Sequence, residues 1–583
     1  VAGIRRDNRE IARILDEIAD LLEIKGENSF RIRSYRTGAE TVSHHAQPVA
    51  EMVERGEPLQ SLDGIGAGIA AKIQELCATG DCAYHRELLL EVPAGLLELL
   101  RLPGLGPRGV ATLWQKLGVR SAEDLEAAIA DGRFRSLPGM KEKKEARLLK
   151  GLQQRRQQSS RFLLPVAEEA ALRLSAHLLA AGAQAVHPAG SFRRSRETIG
   201  DLDLIAVGGD AQRLADAFVA HPDVREVLGH GADKSSVVLA SGLQVDLRHS
   251  EPDAIGAALQ YFTGSKAHNV ALRERAQKRG YKLNEYGLFK AHTDPEERVA
   301  GASEQEIYAA LELQFIPPEL REQRGELEAA AAGALLPLLA REDLRGDLHS
   351  HTTESDGRDS LEAMAAAARE AGLDYLAVTE HSRRVPSPTN RTGMDEARCL
   401  AHIRRVRELE QRTPGFRVLA GVEVDILEDG RLDMDGEVLA QLDVVVASIH
   451  SHMDMERAAM TDRLLRAFEN EHFQIWGHPL ARIISRRPEI SLDAERVLKE
   501  AARRGIALEI NGSPDRLDLP EPLLRTAREL GARFTVSSDS HAVREFAHLR
   551  YGVGQARRGG LAKGDVLNTL PAQGLLSALR GSR

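Results

Sequence analysis

Gly190-Ser-Phe-Arg-Arg194 and, after a short gap, Gly200-Asp-Leu-Asp-Leu204 form the stretch on which the fold reading turns. Asp201 and Asp203 lie two apart in a run that continues into Leu204-Ile-Ala-Val207, which reads as a β-strand. Alternate residues of a strand share a face, so both carboxylates project the same way. A third carboxylate, Asp246, sits in another apolar run, Gln244-Val-Asp-Leu-Arg248. Three convergent carboxylates are a donor set for two Mg²⁺ ions, which prefer oxygen. The Gly190-Ser191 turn offers backbone and hydroxyl donors to a phosphate, and Arg194 adds a charged fork. A lone Asp-x-Asp is usually a surface turn. The order Gly-Ser, Arg, Gly-Asp-x-Asp and then a strand Asp is far more specific.

That order resembles the nucleotidyltransferase superfamily. Further along come Tyr261-Phe-Thr-Gly264, Asn269 and Arg273. With them, residues 1 to about 316 resemble the family X DNA polymerases, the DNA polymerase beta-like group. The resemblance implies catalysis at Asp201, Asp203 and Asp246. One Mg²⁺ would activate a primer 3′-hydroxyl and the other would neutralise the triphosphate. It implies a nucleotide site of Gly190, Ser191, Arg194, Tyr261, Phe262, Gly264 and Asn269. Tyr261 and Phe262 would pack on the incoming sugar, Asn269 would contact the base edge, and Arg273 the template strand. Lys266 departs from the vertebrate pattern, which has an acid there, and adds a cation near the nucleotide.

Upstream, the chain reads as helical, with Ile11, Ile14, Leu15, Ile18, Leu21 and Leu22 at helical spacing. Leu62-Asp-Gly-Ile-Gly66 and Leu102-Pro-Gly-Leu-Gly106 share a Gly-apolar-Gly core before a helical segment, and Leu137-Pro-Gly-Met-Lys141 is a degenerate third copy. Gly64, Gly66, Gly104 and Gly106 would let backbone N–H groups at a helix start hold a DNA phosphate without side-chain charge. The bland reading is a plain connecting turn. Two good copies beside the basic stretch 131–161 favour helix-hairpin-helix DNA binding. Lys72 follows the first turn, at the place where family X enzymes with deoxyribose-phosphate lyase activity carry a Schiff-base lysine. A surface lysine that binds a phosphate is the competing reading.

Downstream, from Leu344, apolar β-runs alternate with helical stretches. That rhythm implies a parallel sheet closed into a barrel. Asp347-Leu-His-Ser-His351 is followed by Asp356, His381, Glu423, His450, His478, Asp539 and His541, mostly at the ends of those runs. Nine imidazole and carboxylate ligands exceed one metal's needs, and the mixture suits Zn²⁺, Mn²⁺ or Fe²⁺ better than Mg²⁺. Their order resembles the polymerase-and-histidinol-phosphatase (PHP) family, from about 344 to 575. The resemblance implies up to three ions, Zn²⁺ or Mn²⁺. One would take His349, His351, Glu423 and Asp539; a second would share Glu423 and take His450 and His478; a third would take Asp356, His381 and His541. Glu380 and His452 are orienting groups or merely solvated.

The expected fold is multidomain. A helical helix-hairpin-helix region comes first, then an α+β nucleotidyltransferase palm and thumb, then an α/β distorted TIM-like barrel. The expected boundaries are 1–80 lyase-like, 81–160 fingers, 161–249 palm, 250–316 thumb, 317–343 linker and 344–583 PHP domain. At 583 residues, 42% hydrophobic and 28% charged, the chain has material for several cores. A net charge of −9 speaks against a wholly nucleic-acid-facing surface. No apolar run is long enough to span a bilayer, no signal sequence opens the chain, and three cysteines make no disulfide framework, so a cytoplasmic protein is expected.

The resemblance implies a gap-filling DNA polymerase for repair, including base excision repair, with a metal-dependent 3′-5′ exonuclease or phosphodiesterase. Whether abasic sites are also cleaved stays open. The expected partners are gapped or primed DNA and dNTPs, without a membrane, and nothing demands more than a monomer. The alternatives are a PHP-type phosphatase with a non-polymerising DNA-binding N-terminal half, a non-catalytic DNA-binding scaffold, and a nucleotidyltransferase with a non-DNA acceptor.

Overall fold

The computed structural model describes residues 8–152, apart from 45–48, 63, 80–81, 101, 103–104, 138–139, 143 and 150–151, then residues 161–383 and 393–580. Two compact units emerge, one over Val1–Ser159 and the other over Ser160–Val385 with Thr392–Arg583.

The first unit is helical. Its opening helix, Asn8–Lys25, buries Ile11, Ile14, Leu15, Ile18, Leu21 and Leu22 on one side, as the spacing predicts. Each glycine turn closes in the same way. The Ile65 amide donates to the Leu62 carbonyl at 3.1 Å, Leu105 to Leu102 at 3.1 Å and Met140 to Leu137 at 3.2 Å. Gly64 has φ +78°, and a Cβ there would lie 2.5 Å from Thr37 Cγ2, so both backbone and space require glycine. Gly66 precedes the helix Ala67–Thr79, and Gly106 is the N-cap of Pro107–Leu117. Gly104 lies outside the described residues. The basic stretch is partly neutralised within itself: Arg133 pairs with Asp131 at 2.7 Å and Arg135 with Glu145 at 2.8 Å.

The second unit opens with the palm. Helix Leu164–Ala181 packs on a five-stranded sheet whose order is Ala185–Pro188, Asp201–Val207, Gln244–Ser250, Lys234–Leu239 and Val224–Gly229. The two aspartate strands are central neighbours and run parallel. The thumb combines helices Ile255–Thr263 and Lys266–Lys278 with a three-stranded antiparallel sheet over Tyr281–Ala300. The stretch read as a linker is not bare chain. Residues Glu326–Ala331 form a helix whose Leu327 and Ala330 join the thumb's apolar cluster. The two prolines, Pro317 and Pro318, only redirect the chain before that helix.

The rest of the unit is a sheet of seven parallel strands in sequence order, with helices Leu361–Glu370, Glu396–Arg412, Arg457–Ala467, Ala494–Arg504 and Glu521–Glu529 in the connections. Five of its six pairings join strands separated by such crossovers, the arrangement that buries both sheet faces and makes the strands apolar throughout. A parallel bridge between Ser350 and Ser540 brings the first and last strands together, nearly closing a barrel. Asp347 fastens that seam. Its buried carboxylate accepts from the Ser538 amide at 3.1 Å and from the Ser538 hydroxyl. No helix among the described residues is long and apolar enough to cross a membrane.

Candidate active sites

In the palm, strand register sets the site. Asp203 stands directly beside Asp246, and Asp201 beside Gln244. Burial raises the Asp203 carboxyl to about 7, and the Asp201 and Asp246 charges add to it. Burial also works against Asp246, but Lys234 at 2.7 Å and the Gln244 amide at 3.1 Å outweigh it and hold that carboxyl below its usual range. Carboxylates crowded so closely that one resists ionisation are a fit for divalent cations. Gly190, at φ +60°, lies against Asp203 and begins the short helix Gly190–Arg193 that contains Ser191.

The other predicted nucleotide contacts gather at the palm–thumb junction. Tyr261 and Phe262 meet edge to face at 5.1 Å, and Arg248 lies over the Phe262 ring at 4.7 Å. Asn269 is fixed at both ends of its amide. It donates to the Tyr261 carbonyl at 2.6 Å and accepts from Gln260 at 2.8 Å. Lys266 is exposed at the first turn of its helix, and Arg273 lies one turn beyond Asn269, donating to its carbonyl at 3.3 Å. Gly264 adopts φ +66° beside the Arg194 guanidinium. Arg194 itself is not directed at an open phosphate site. It donates to the Thr263 carbonyl and to Glu322 at 3.1 Å. Its neighbour Arg193 joins Arg321 around the buried Glu304, at 2.6 Å each.

In the barrel, all nine predicted ligands converge near the strand ends. Eight of them supply ligand atoms to three tight groups: His349, His351 and Asp539; His351, Asp356, His381 and His541; and His381, Glu423 and His450. The sequence grouping placed His381 with the third ion only, whereas here it also faces Glu423 at 2.9 Å. His478 lies 2.8 Å from the other Glu423 oxygen. Glu423 is therefore the hub, with His349 at 3.2 Å and His450 at 3.1 Å.

The donor set fits metal ions. His349 Nε2, both ring nitrogens of His351, His381 Nδ1 and both Glu423 oxygens are buried without a hydrogen bond. Buried polar atoms are rarely left so, and a group of them facing one space is a fit for a cation. Protonation behaves accordingly. Burial opposes charge on His381 and His541, yet Glu423 and Asp356 push His381 up to about 10, and Asp356 and Asp539 push His541 up to about 9. His351 is held down at about 3 by burial and by the neighbouring His541 and His381 rings.

Three supporting residues escaped the sequence reading. Glu509 accepts from His349 Nδ1 at 2.6 Å and from the His478 amide at 2.6 Å. Its contact places the His349 proton on Nδ1 and frees Nε2 for the centre. Asn511, two residues on, donates to Asp539 at 3.0 Å. Arg516 stands 3.5 Å from the same carboxylate oxygen. The available signal was a Glu and an Asn alternating on an apolar strand, where polar side chains need a reason. Glu380 proves to be a buried organiser. It accepts from the Thr352 amide at 3.0 Å and from the Thr352 and Ser355 hydroxyls, bracing the loop between His351 and Asp356. His452 is exposed.

In the first unit, Lys72 is half-buried, with its ammonium 4.9 Å from the centre of the Tyr84 ring, which Arg31 also approaches at 5.1 Å.

Comparison with known proteins agrees with this layout. Residues 6–82 match a helix-hairpin-helix domain, 96–154 a SAM-like helix-hairpin-helix tandem, 258–322 the DNA polymerase beta thumb and 347–513 the PHP domain. A probable phosphatase of Thermoanaerobacter sp. (strain X514) is 28% identical over 239 residues, covering 38% of this chain and 89% of that protein. Among solved structures, Leishmania infantum polymerase beta in a ternary P/T complex aligns at 21% identity with a TM-score of 0.27, over 39% of this chain and 99% of that one, which adds nothing to the argument. The DNA polymerase/3′-5′ exonuclease PolX of Bacillus subtilis (strain 168) is 35% identical over 567 residues, covering 96% of this chain and 97% of that protein. Since that similarity runs through the helical unit, palm, thumb and barrel alike, the chain belongs to the PolX family of DNA polymerases with a 3′-5′ exonuclease.

Proposed function

We propose that the chain fills short gaps in DNA at Asp201, Asp203 and Asp246 and trims 3′ ends at the barrel cluster, as a cytoplasmic repair enzyme acting on gapped or primed DNA and dNTPs. The observation that carries the reading is the presence in one chain of two separate ligand sets, the paired aspartates of adjacent palm strands and the barrel cluster of eight grouped residues with His478 beside Glu423. A phosphatase with an idle N-terminal half accounts for the second set only.

In the palm, Mg²⁺ held by Asp201, Asp203 and Asp246 supplies charge neutralisation at the attacking and leaving oxygens. Lys234 and Gln244 aim the Asp246 carboxylate. The Gly190-Ser191 turn receives phosphate oxygens. Tyr261 and Phe262 form a wall for the sugar, and the doubly held Asn269 presents a fixed edge to the base pair. Arg273 and the exposed Lys266 face the nucleic acid and the triphosphate. In the first unit, the Gly64-Gly66 and Gly104-Gly106 turns take DNA phosphates.

In the barrel, the nine ligands hold Zn²⁺ or Mn²⁺, up to three ions. Glu509, Asn511 and Glu380 hold the first ligands still, so that little reorganisation is left for the reaction. The domain division proposed is helical DNA-binding and fingers regions, palm, thumb and PHP barrel. Primer extension on a one-nucleotide gap, with the 3′-labelled product followed over time, tests both activities in one assay. Extension without degradation, or the reverse, removes half of the reading.

A further inference from the structure

Two loops at the rim of the barrel cluster are fastened to the palm. The first follows His478 and contains Arg482. The second runs from Asn511 to Leu519 and contains Arg516, beside Asp539. The Arg482 side chain reaches from the first loop to the second, and the residue is 8% exposed. Its Nε donates to the Arg516 carbonyl at 2.9 Å, and its Nη2 donates to the Leu517 carbonyl. The same Nη2 donates to Glu197 at 2.8 Å, in the palm segment between Arg194 and Asp201. Gln555 donates to that Glu197 oxygen as well, at 2.8 Å, and to the Leu519 carbonyl at 3.0 Å. One palm carboxylate therefore anchors both side chains that hold the second loop.

The apolar contacts point the same way. Leu517, 1% exposed, belongs to the palm's own apolar cluster, and Ile484 of the first loop packs against it. Leu517 also has φ +42°, a conformation that branched L-residues adopt only when their surroundings fix it. Here the surroundings combine the palm's apolar cluster with Arg482 and Gln555, which donate to the Leu517 carbonyl. The Asp515 carbonyl accepts from the Ile484 amide at 2.7 Å, which joins the two loops directly.

We propose that Glu197 of the palm is a positioning residue for the barrel's phosphodiesterase centre, setting the place of Arg516 and of the His478 loop through Arg482. The proposal rests on the exonuclease reading above. Replacing the Glu197 carboxylate by an amide leaves the buried Arg482 guanidinium with an uncharged, weaker palm acceptor, and with Glu489, at 3.3 Å, as a charged partner. Such a group reorients or admits water, and both carbonyls that it holds shift with it. Displacement of supporting groups by about 1 Å is enough to cost large factors in rate.

The test uses the full-length protein and bis-p-nitrophenyl phosphate, a small phosphodiester that needs no grip on DNA. Glu197→Gln should lower kcat at least about tenfold with little change in KM, Glu197→Asp should restore part of it, and bound metal and gap filling should stay near wild type. Three results overturn the proposal: Glu197→Gln within about twofold of wild-type kcat, an equal loss of gap filling and hydrolysis, or no rescue by Glu197→Asp. A wild-type protein that hydrolyses neither this ester nor a DNA 3′ end fails at the exonuclease reading instead.

Discussion

A Cβ atom on Gly190 would stand 2.1 Å from Oδ2 of Asp203. The Gly-Ser turn and the strand of Asp203 are thus in contact, and the φ of +60° at Gly190 adds a second reason for glycine. Gly190→Ala is expected to displace the Asp203 carboxylate and to lower nucleotide incorporation by at least about a hundredfold. Single-turnover extension measures it, with hydrolysis by the barrel as the control for folding. Near-normal incorporation would show that the carboxylate works from another position.

Asp203→Ala or Asp246→Ala should abolish nucleotide incorporation and leave 3′-end hydrolysis intact. Each change removes one ligand from one site, and the barrel cluster is built from other strands. Primer extension on gapped DNA beside an end-labelled degradation assay reads both. Substantial residual extension would remove these aspartates from the mechanism.

The converse holds for His349→Ala combined with His351→Ala. His351 belongs to two of the three ligand groups, so the pair should strip the centre and end hydrolysis while gap filling persists. Elemental analysis of protein purified without chelators should show two or three transition-metal ions in the wild type, as ligand charge and number suggest, and fewer in the variant. A wild-type preparation without metal counts against the cluster.

Metal affinity in the barrel should rise with pH. His381 retains its proton up to about 10 and His541 up to about 9, because Glu423, Asp356 and Asp539 outweigh the burial of each ring. An incoming ion must displace those protons, so binding is weakest at low pH. It should tighten about tenfold per pH unit for each proton released. Chelator competition at pH 6, 7 and 8 gives the slope. A flat profile would mean that the ions do not meet these imidazoles.

Lys72 is expected to act as a phosphate contact rather than as a Schiff-base nucleophile. Its ammonium lies over the Tyr84 ring, 4.9 Å from the centre, which holds the amine against an aromatic face that Arg31 also approaches. Borohydride trapping with a 5′-incised abasic substrate should give no adduct that depends on Lys72, and Lys72→Ala should weaken gapped-DNA binding a few-fold. A covalent adduct present in the wild type and lost in Lys72→Ala would reverse the assignment.

The sequence by itself determined the strand phases and the set of candidate ligands. Alternation put Asp201 and Asp203 on one face, and the β-run rhythm put His349, Glu423, His478 and Asp539 at strand ends, because both patterns are local and survive without knowledge of the neighbours. The glycine turns were legible for the same reason, although Gly104 lies outside the described residues. Only the tertiary structure decided which partners those residues meet. Glu509 is one acid among many until the fold brings it 2.6 Å from His349, a residue 160 positions away. The pairing of Arg194 with Glu322, the second role of His381 against Glu423, and the hold of Glu197 on Arg482 are likewise set by how separate elements pack. Such contacts leave no period in the chain, since their distance in sequence is arbitrary and their energy depends on burial that only the assembled fold creates.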